Sequence, residues 1–258
     1  MKKKIGFVSS DKPIAKKSLK ILKDIYKNVS PDDADIIVAL GGDGTVLESL
    51  HKFLKKKVPI YGMNRGHVGF LMNEFSEKRL NERLKNAIPY KLFPLKIKSF
   101  DLDGNVSECL AFNDVSLLRS SAKIAKIKVQ INGKIRINEF MGDGCLISTP
   151  AGSSAYNLSV RGPVIPVGAQ VLALTPISPY RPRKWRGALL NNDAKITLTS
   201  IEAQRRPVRA EADFIEFNKI KKLEIELDKK KYMNLLFDPG HDLEERIINE
   251  QFDNKYEI

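Results

Sequence analysis

Residues 36–45 of this 258-residue chain read IIVALGGDGT, an apolar run that ends in a glycine-rich turn. Apolar residues then repeat at the three- and four-residue spacing of a helix. A buried strand followed by such a turn and helix is typical of an open α/β sheet, where ligands bind beyond the carboxyl ends of the strands. Because glycine amides can approach a phosphate closely, we expect Gly41, Gly42, Gly44 and Thr45 to lie near phosphate groups.

The N-terminal third alternates between strand and helix patterns. Strand-like runs at 4–9, 35–40 and 58–61 are separated by helical stripes at 14–26 and 46–54. Strands that alternate with helices in this way form a parallel sheet through right-handed crossovers. A further helix pattern over 77–88 ends at a proline.

After about residue 95 the segments become short, β-branched and broken by turns. Asp103-Gly104 and Asn132-Gly133 are strong hairpin signals. We therefore predict an α/β plus β-rich fold: an N-terminal open parallel α/β domain over 1–95 and a second, β-sandwich-like domain over 96–238. A C-terminal segment over 239–258 is expected to return to the first domain.

Composition narrows the classes of partner without choosing one. The net charge of +13 suits nucleic acid, an anionic membrane or polyanionic small molecules, but lysine runs at 55–57 and 229–231 also suit a solvated surface. No apolar stretch is long enough to span a bilayer, and the N-terminus lacks the apolar core of a signal peptide. The two cysteines, Cys109 and Cys145, are too few for a disulfide framework or a metal site and favour reduced thiols.

Asp43 lies in the glycine turn and has two interpretations. It can be a general base that takes a proton from a hydroxyl attacking a phosphoryl group. It can equally be the N-cap of the helix that follows. The turn is not a Walker P-loop, because no Gly-Lys-Ser/Thr follows it.

Two further clusters can be explained either by contact with a ligand or by a structural role alone. Phe70 follows the glycine-punctuated run 64–69, where it can stack on a base or fill the core. Asn113 and Asp114 end an apolar run, where an amide beside a carboxylate suits the diol of a ribose. A turn between two strands explains the same pair.

The longest cluster, residues 142–159, reads GDGCLISTPAGSSAYNLS. Its hydroxyls and glycine amides can contact a ribose and the edge of a base, and Tyr156 can stack. A strand followed by a capped helix is the structural alternative, but so many small polar residues after an apolar run are uncommon in plain structure.

In this order the four motifs resemble those of the NAD kinase family over nearly the whole chain. GGDGT alone is shared with lipid kinases such as diacylglycerol kinases, whereas the STPAGSSAYNLS block is far more specific. The resemblance implies phosphorylation of the adenosine-ribose 2′-hydroxyl of NAD by ATP to give NADP. It also implies a divalent cation, with Mg²⁺ expected and no ligand set assigned, and a cytoplasmic homodimer or homotetramer with no nucleic-acid or membrane partner.

The resemblance also implies roles for individual residues. Asp43 is then the proton acceptor and contacts NAD together with Gly44. Phe70 lies against adenine, and Asp143 lies near the nicotinamide end. The full NAD-binding set is Asp43, Gly44, Phe70, Asn113, Asp114, Asp143, Ser154, Ala155, Tyr156, Asn157, Leu158, Ser159 and Ser178.

The chain departs from the family pattern at several positions. Ala151 and Ser154 stand where threonines are more common, and Arg161 replaces the first glycine of a Gly-Gly pair. Met141 stands where a basic residue often occurs, and Phe214 lies in a segment that differs from the usual ending. Two rivals remain at this point: a lipid kinase, and a non-catalytic nucleotide- or nucleic-acid-binding module.

Overall fold

The structure is a computed structural model that describes residues 3–66 and 69–240. The helices are α1 (Pro13–Ile25), α2 (Asp43–Phe53), α3 (Leu80–Asn86) and α4 (Tyr156–Ser159), with 3₁₀ turns at Pro31–Asp33 and Ala151–Ser154. The strands are β1 (Ile5–Ser9), β2 (Ile36–Gly41), β3 (Ile60–Asn64), β4 (Ile88–Leu92), β5 (Leu95–Asp101), β6 (Val106–Ala111), β7 (Asp114–Arg119), β8 (Ala125–Ile131), β9 (Lys134–Gly142), β10 (Gly144–Ser148), β11 (Val171–Ile177), β12 (Ala188–Asn191), β13 (Ile196–Ser200), β14 (Val208–Ala212), β15 (Ile215–Phe217), β16 (Ile220–Leu227) and β17 (Met233–Phe237).

The chain divides into two compact units. The described residues up to Leu92 and from Lys231 onward form the first unit, and Phe93–Lys230 forms the second. Within the described residues, no helix is both long and apolar enough to cross a bilayer.

The first unit contains a five-stranded sheet in the order β1-β2-β3-β17-β4. Strands β1, β2, β3 and β17 run parallel, and β4 is an antiparallel edge strand. All six residues of β2 are buried, as expected for a central parallel strand covered on both faces. The GGDGT turn therefore lies at the carboxyl end of β2, where open α/β sheets generally bind their ligands.

The second unit contains two six-stranded antiparallel sheets, β12-β11-β10-β7-β14-β15 and β6-β5-β16-β13-β8-β9. One apolar core draws side chains from both sheets, for example Val115 and Leu117 of β7 and Ile127 and Val129 of β8. The predicted fold class is confirmed: a parallel α/β unit is joined to a β-rich unit of antiparallel sheets.

The local predictions agree with the structure except at a few boundaries. Both predicted hairpins are present, between β5 and β6 and between β8 and β9. Helix α3 is shorter than predicted and ends at Asn86, because Ile88 precedes a proline and takes an extended conformation in β4. The proposed domain limits of 95/96 and 238/239 differ from the two compact units mainly by β17, which pairs in the first sheet. Residues 241–258 of the proposed returning segment lie outside the described residues.

Candidate active site

The GGDGT turn joins β2 to α2 in a way that its glycines permit. A Cβ at Gly41 would lie 2.2 Å from Thr45 Oγ1, so Thr45 packs where only glycine leaves room. A Cβ at Gly42 or Gly44 would meet no described protein atom within 4 Å. The turn is thus tightly packed on the sheet side and open at Gly42 and Gly44, as close approach of a ligand requires.

Asp43 is the first helical residue of α2, and Gly42 occupies the N-cap position. The N-cap alternative for Asp43 is therefore wrong. Its half-buried carboxylate instead accepts two main-chain hydrogen bonds from another segment: Phe70 N–H donates to Oδ2 and Leu71 N–H to Oδ1, each at 2.9 Å. Each carboxylate oxygen can accept more than one bond, so these two bonds alone do not use up the acceptor capacity of either oxygen.

The segment that holds Asp43 is itself anchored to the sheet through Asn73. Fully buried, Asn73 donates from Nδ2 to the carbonyls of Gly62 (3.0 Å) and Leu236 (2.9 Å). Its Oδ1 accepts the N–H of Asp238 at 2.8 Å. Sequence reasoning missed this residue, because a single asparagine after an apolar run carries no signal of partners on β3 and β17.

Space beside the Asp43 carboxylate is restricted by Gly69 and Phe70. A Cβ at Gly69 would lie 2.6 Å from Met72 Cγ and 3.0 Å from Asp43 Oδ1. Phe70 itself is half-buried, and its N–H donates to Asp43. His67 and Val68, within the same motif, lie outside the described residues.

In the second unit, the Asn113-Asp114 segment is held by Asp213. The Asp213 carboxylate accepts the main-chain N–H groups of Phe112 (2.7 Å), Asn113 (3.0 Å) and Asp114 (3.4 Å). Sequence reasoning missed Asp213, because aspartate is common in turns and the two-residue turn between β14 and β15 is enough to explain it.

The Asp114 carboxyl is buried among other acidic groups. Burial chiefly, and then the charges of Asp213 and Glu211, raise the pKa of Asp114 to about 7. Asn113 adds a second unusual polar group, since its Oδ1 is buried without a hydrogen-bond partner among the described residues. A plain turn between strands explains neither feature, whereas hydroxyl groups of a ligand can satisfy both.

The block from 142 to 159 packs directly on this segment. Thr149 Oγ1 donates to the carbonyl of Phe112 at 2.6 Å, and Thr149 N–H donates to the carbonyl of Asn113 at 2.9 Å. A Cβ at Gly152 would lie 2.2 Å from that Asn113 oxygen. The threonine and the glycine of STPAGS therefore bring two main-chain segments into contact.

The predicted NAD-binding residues of this block differ in exposure. Tyr156, Leu158 and Ser159 are exposed, and Ser154 and Ala155 are half-buried. Asn157 is fully buried: Nδ2 donates to the Ser153 and Pro163 carbonyls, and Oδ1 accepts from Thr175 Oγ1. These bonds fix the Asn157 side chain within the block, and its contact with NAD stays a prediction.

Charged side chains and a cavity lie near the exposed part of the block. Asp143 pairs with Arg119 at 2.6 Å. The pKa of Tyr156 is raised by burial, then by the charges of Glu211, Asp114 and Asp143, with Arg209 opposing. A cavity of about 370 Å³ has Ser159, Arg161, Ser178, Trp185 and Arg186 in its lining.

The departures at Arg161 and Phe214 have simple descriptions. Arg161 has a φ of 64°, a left-handed conformation that favours glycine. Phe214 is 58% exposed at the tip of its hairpin.

Three further sequence features are the cysteines, the lysine runs and the expected metal ion. Burial raises the pKa of the Cys109 thiol to about 12 and also raises that of Cys145, so neither is a reactive thiolate at neutral pH. The lysine runs at 55–57 and 229–231 are exposed. Among residues 3–66 and 69–240, no group of three or more His, Cys, Asp or Glu could hold a metal ion.

Comparisons with known proteins identify the family. The chain matches the ATP-NAD kinase N-terminal domain over residues 1–89 and the ATP-NAD kinase C-terminal domain over residues 112–213. It is 47% identical to the NAD kinase of Hyphomonas neptunium over 249 residues, covering 96% of this chain and 98% of that protein. Identity to the NAD kinase of Caulobacter vibrioides is 48% over 249 residues, covering 96% of each chain.

Two solved structures share the fold of this chain. Yeast NADH kinase complexed with NADH superposes with a TM-score of 0.82 at 20% identity, over 99% of this chain and 89% of that one. An NAD kinase from Archaeoglobus fulgidus in complex with ATP gives a TM-score of 0.76 at 24% identity, over 96% and 98% of the two chains. The chain belongs to the ATP-NAD kinase family.

Proposed function

We propose that Asp43 accepts the proton of the adenosine-ribose 2′-hydroxyl while ATP phosphorylates NAD to give NADP. Phosphorylation of NAD by ATP is the activity of the family to which the chain belongs, and this chain is an NAD kinase. The relatives give no support to the lipid-kinase and non-catalytic alternatives.

The observation that carries the proposal is the fixed carboxylate of Asp43. Two main-chain N–H groups hold its two oxygens at 2.9 Å at the carboxyl end of β2. Phosphoryl transfer demands little covalent work from a protein, so catalysis depends on positioning and electrostatics. A carboxylate whose orientation is fixed before the substrate arrives can accept a hydroxyl proton without reorganising.

The glycine turn supports a phosphate-binding role for Gly41, Gly42, Gly44 and Thr45. The N-terminus of α2 carries the positive end of a helix dipole, which favours a phosphate of ATP. Because the described residues include no metal-binding cluster, we expect a divalent cation to be held by the phosphates of ATP and water rather than by a protein cage.

The second unit supports dinucleotide binding by Asn113 and Asp114. The unsatisfied Oδ1 of Asn113 and the buried carboxyl of Asp114 suit the hydroxyl groups of a ribose. The remaining proposed contacts are Phe70, Asp143, Ser154, Ala155, Tyr156, Asn157, Leu158, Ser159 and Ser178. Assembly as a homodimer or homotetramer and a cytoplasmic location remain predictions from the family resemblance.

The site of phosphorylation is tested by the identity of the product. The purified chain is mixed with NAD, ATP and Mg²⁺, and the product is offered to a dehydrogenase that accepts only the 2′-phosphate form, NADP. Reduction of the product supports the proposal. A phosphorylated NAD that this dehydrogenase rejects, with the phosphate assigned elsewhere by ³¹P NMR, contradicts it.

The role of Asp43 is tested by Asp43→Asn, with Glu48→Gln as a matched control because Glu48 is an exposed carboxylate on the same helix. We expect kcat of the first variant to fall by roughly 10²-fold or more, the size of a lost general base. The control should retain normal turnover. Near-normal turnover in Asp43→Asn would leave Asp43 as an anchor of the loop only.

A further inference from the structure

We propose that Asp213 is a positioning residue for the dinucleotide, because its carboxylate fixes the main chain of Asn113 and Asp114 from the tip of a neighbouring hairpin. The inference rests on the proposed role of Asn113 and Asp114 in binding NAD. It adds a residue that lies about 100 positions further along the chain and makes no proposed contact with NAD itself.

The contacts are more numerous than a turn requires. Asp213 Oδ2 accepts the N–H of Phe112, and Oδ1 accepts those of Asn113 and Asp114. The N–H of Asp213 donates to the carbonyl of Asp114 at 3.2 Å. Three successive amides are thus directed at one carboxylate, which requires an acceptor with two oxygens.

The local conformation of Asp213 does not by itself demand a carboxylate. Asp213 has a φ of 52° in the two-residue turn between Ala212 and Ile215. Asparagine and glycine adopt this left-handed conformation at least as readily as aspartate. The choice of an acid is therefore explained by its bonds to the 112–114 segment rather than by the turn.

The carbonyl side of the same segment is fixed by the STPAGS block. Thr149 N–H donates to the Asn113 carbonyl, and Gly152 packs against it. With Asp213 on the N–H side, the main chain of Asn113 is held from two directions. The side-chain Oδ1 of Asn113, which has no partner among the described residues, is thereby held in place for a ligand.

Asp213 also acts on Asp114 through its charge, which provides a readout that loss of structure cannot imitate. The charges that act on Asp114 are those of Asp213 and Glu211. Asp114 in turn acts on Tyr156, as do Arg209 and Asp143. Arg209 is already paired with Glu211 at 2.8 Å. Removal of the Asp213 charge should therefore lower the pKa of Asp114 from about 7.

The test compares Asp213→Asn with Asp101→Asn. Asp101 is a suitable control, because its carboxylate also accepts main-chain N–H bonds, from Asp103 and Asn105 at a hairpin of the same unit. NAD affinity is measured by calorimetry, and kcat and KM are measured between pH 5.5 and 9. We expect Asp213→Asn to weaken NAD binding about tenfold with kcat at saturating NAD within about threefold, since about 1.4 kcal/mol is a tenfold change and a charged hydrogen bond is worth about that or more. The acid limb of kcat/KM for NAD should also move to lower pH.

A second variant, Asp213→Glu, covers the case in which Asp213→Asn fails to fold. It keeps the charge but displaces the carboxylate, so NAD binding should weaken while the acid limb stays in place. NAD affinity equal to that of Asp101→Asn in a folded Asp213 variant overturns the inference.

Failure of the underlying site gives a different pattern. If Asn113→Ala and Asp114→Asn bind NAD like the wild type, the proposed dinucleotide contacts are wrong and the inference about Asp213 falls with them. If those two variants lose affinity and the Asp213 variants do not, the dinucleotide contacts stand and only Asp213 is excluded.

Discussion

Both units use a carboxylate to hold a loop by its main-chain N–H groups, but the two arrangements leave different amounts of space. Asp43 holds the main chain of Phe70 and Leu71. On either side of Asp43, an added Cβ at Gly42 or Gly44 would meet no described atom within 4 Å. Asp213 holds Phe112, Asn113 and Asp114 against a block so tightly packed that Gly152 has no room for a methyl group.

The difference matches the roles proposed for the two units. The open turn of the α/β unit suits phosphates and a moving proton, which need close approach and an accessible carboxylate. The packed segment of the β-rich unit suits recognition of a sugar, which needs hydroxyl partners held in fixed positions. Substitutions that add a single methyl group should therefore have opposite consequences in the two places.

The largest effect is expected from Gly152→Ala. The added Cβ would lie 2.2 Å from the carbonyl oxygen and 2.4 Å from the carbonyl carbon of Asn113, so main chain must move on both sides. Because the clash is with main chain, we expect a loss above the usual overpacking range of about 1–3 kcal/mol, large enough to prevent stable folding, and a loss of NAD binding. Gly168→Ala, which meets no described atom within 4 Å, is the control in urea denaturation. Equal stability of the two variants would refute the close packing.

The next effect concerns Asp114 and pH. Its pKa is 3.8 ordinarily and about 7 in the folded chain, so the folded state holds the proton more tightly and stability falls as pH rises from about 4 to 7. Asp114→Asn removes this fall, and at about 1.4 kcal/mol per tenfold change its advantage over the wild type should grow by roughly 4 kcal/mol between pH 4 and 8. Urea denaturation of both proteins at the two pH values measures it. Parallel pH dependence would contradict the buried acid.

A smaller effect is expected from Gly69→Ala, which tests the space beside Asp43. The new Cβ would lie 2.6 Å from the buried Met72 side chain and 3.0 Å from Asp43 Oδ1, so the carboxylate must shift. We expect kcat to fall by about ten- to a hundredfold, because small misplacements of a reacting group are costly. Gly66→Ala in the same loop, where the nearest atom is at an ordinary 3.6 Å, should retain its kcat. A normal kcat in Gly69→Ala would show that the position of the carboxylate is not critical.

The smallest effect on stability is expected from Gly44→Ala. Gly44 lies in the first turn of α2 with no described atom near its Cβ direction, so alanine should stabilise the helix by about 0.5–1 kcal/mol. If phosphates approach this turn, KM for ATP should nevertheless rise. Thermal unfolding and steady-state kinetics measure both quantities, and an unchanged KM for ATP would place the phosphates elsewhere.

The sequence predicts the features whose signals are local. The strand before Gly41, the helix after it and the turns at Asp103-Gly104 and Asn132-Gly133 each follow from residue spacing and turn chemistry. Family resemblance adds candidate site residues that spacing alone leaves ambiguous.

Features that depend on long-range pairing could not be predicted in this way. Strand β17 joins the first sheet beside β3, although some 170 residues separate them, because pairing partners are not encoded in the periodicity of either strand. Asp213 and Asn73 carry no motif, and their importance comes from partners on other elements. The sequence singles out Asp43, but its bonds to Phe70 and Leu71, and the N-cap position of Gly42 that excludes the N-cap interpretation, required the structure.

The most direct test of the account is a single-turnover measurement on Asp43→Asn, with NAD and ATP saturating and NAD affinity measured in parallel. A lost proton acceptor predicts a phosphoryl-transfer step slowed by roughly 10²-fold or more with NAD affinity within a few-fold of the wild type. A transfer step at the wild-type rate, or a loss fully explained by weaker NAD binding, would contradict the central claim that the fixed carboxylate of Asp43 takes the proton.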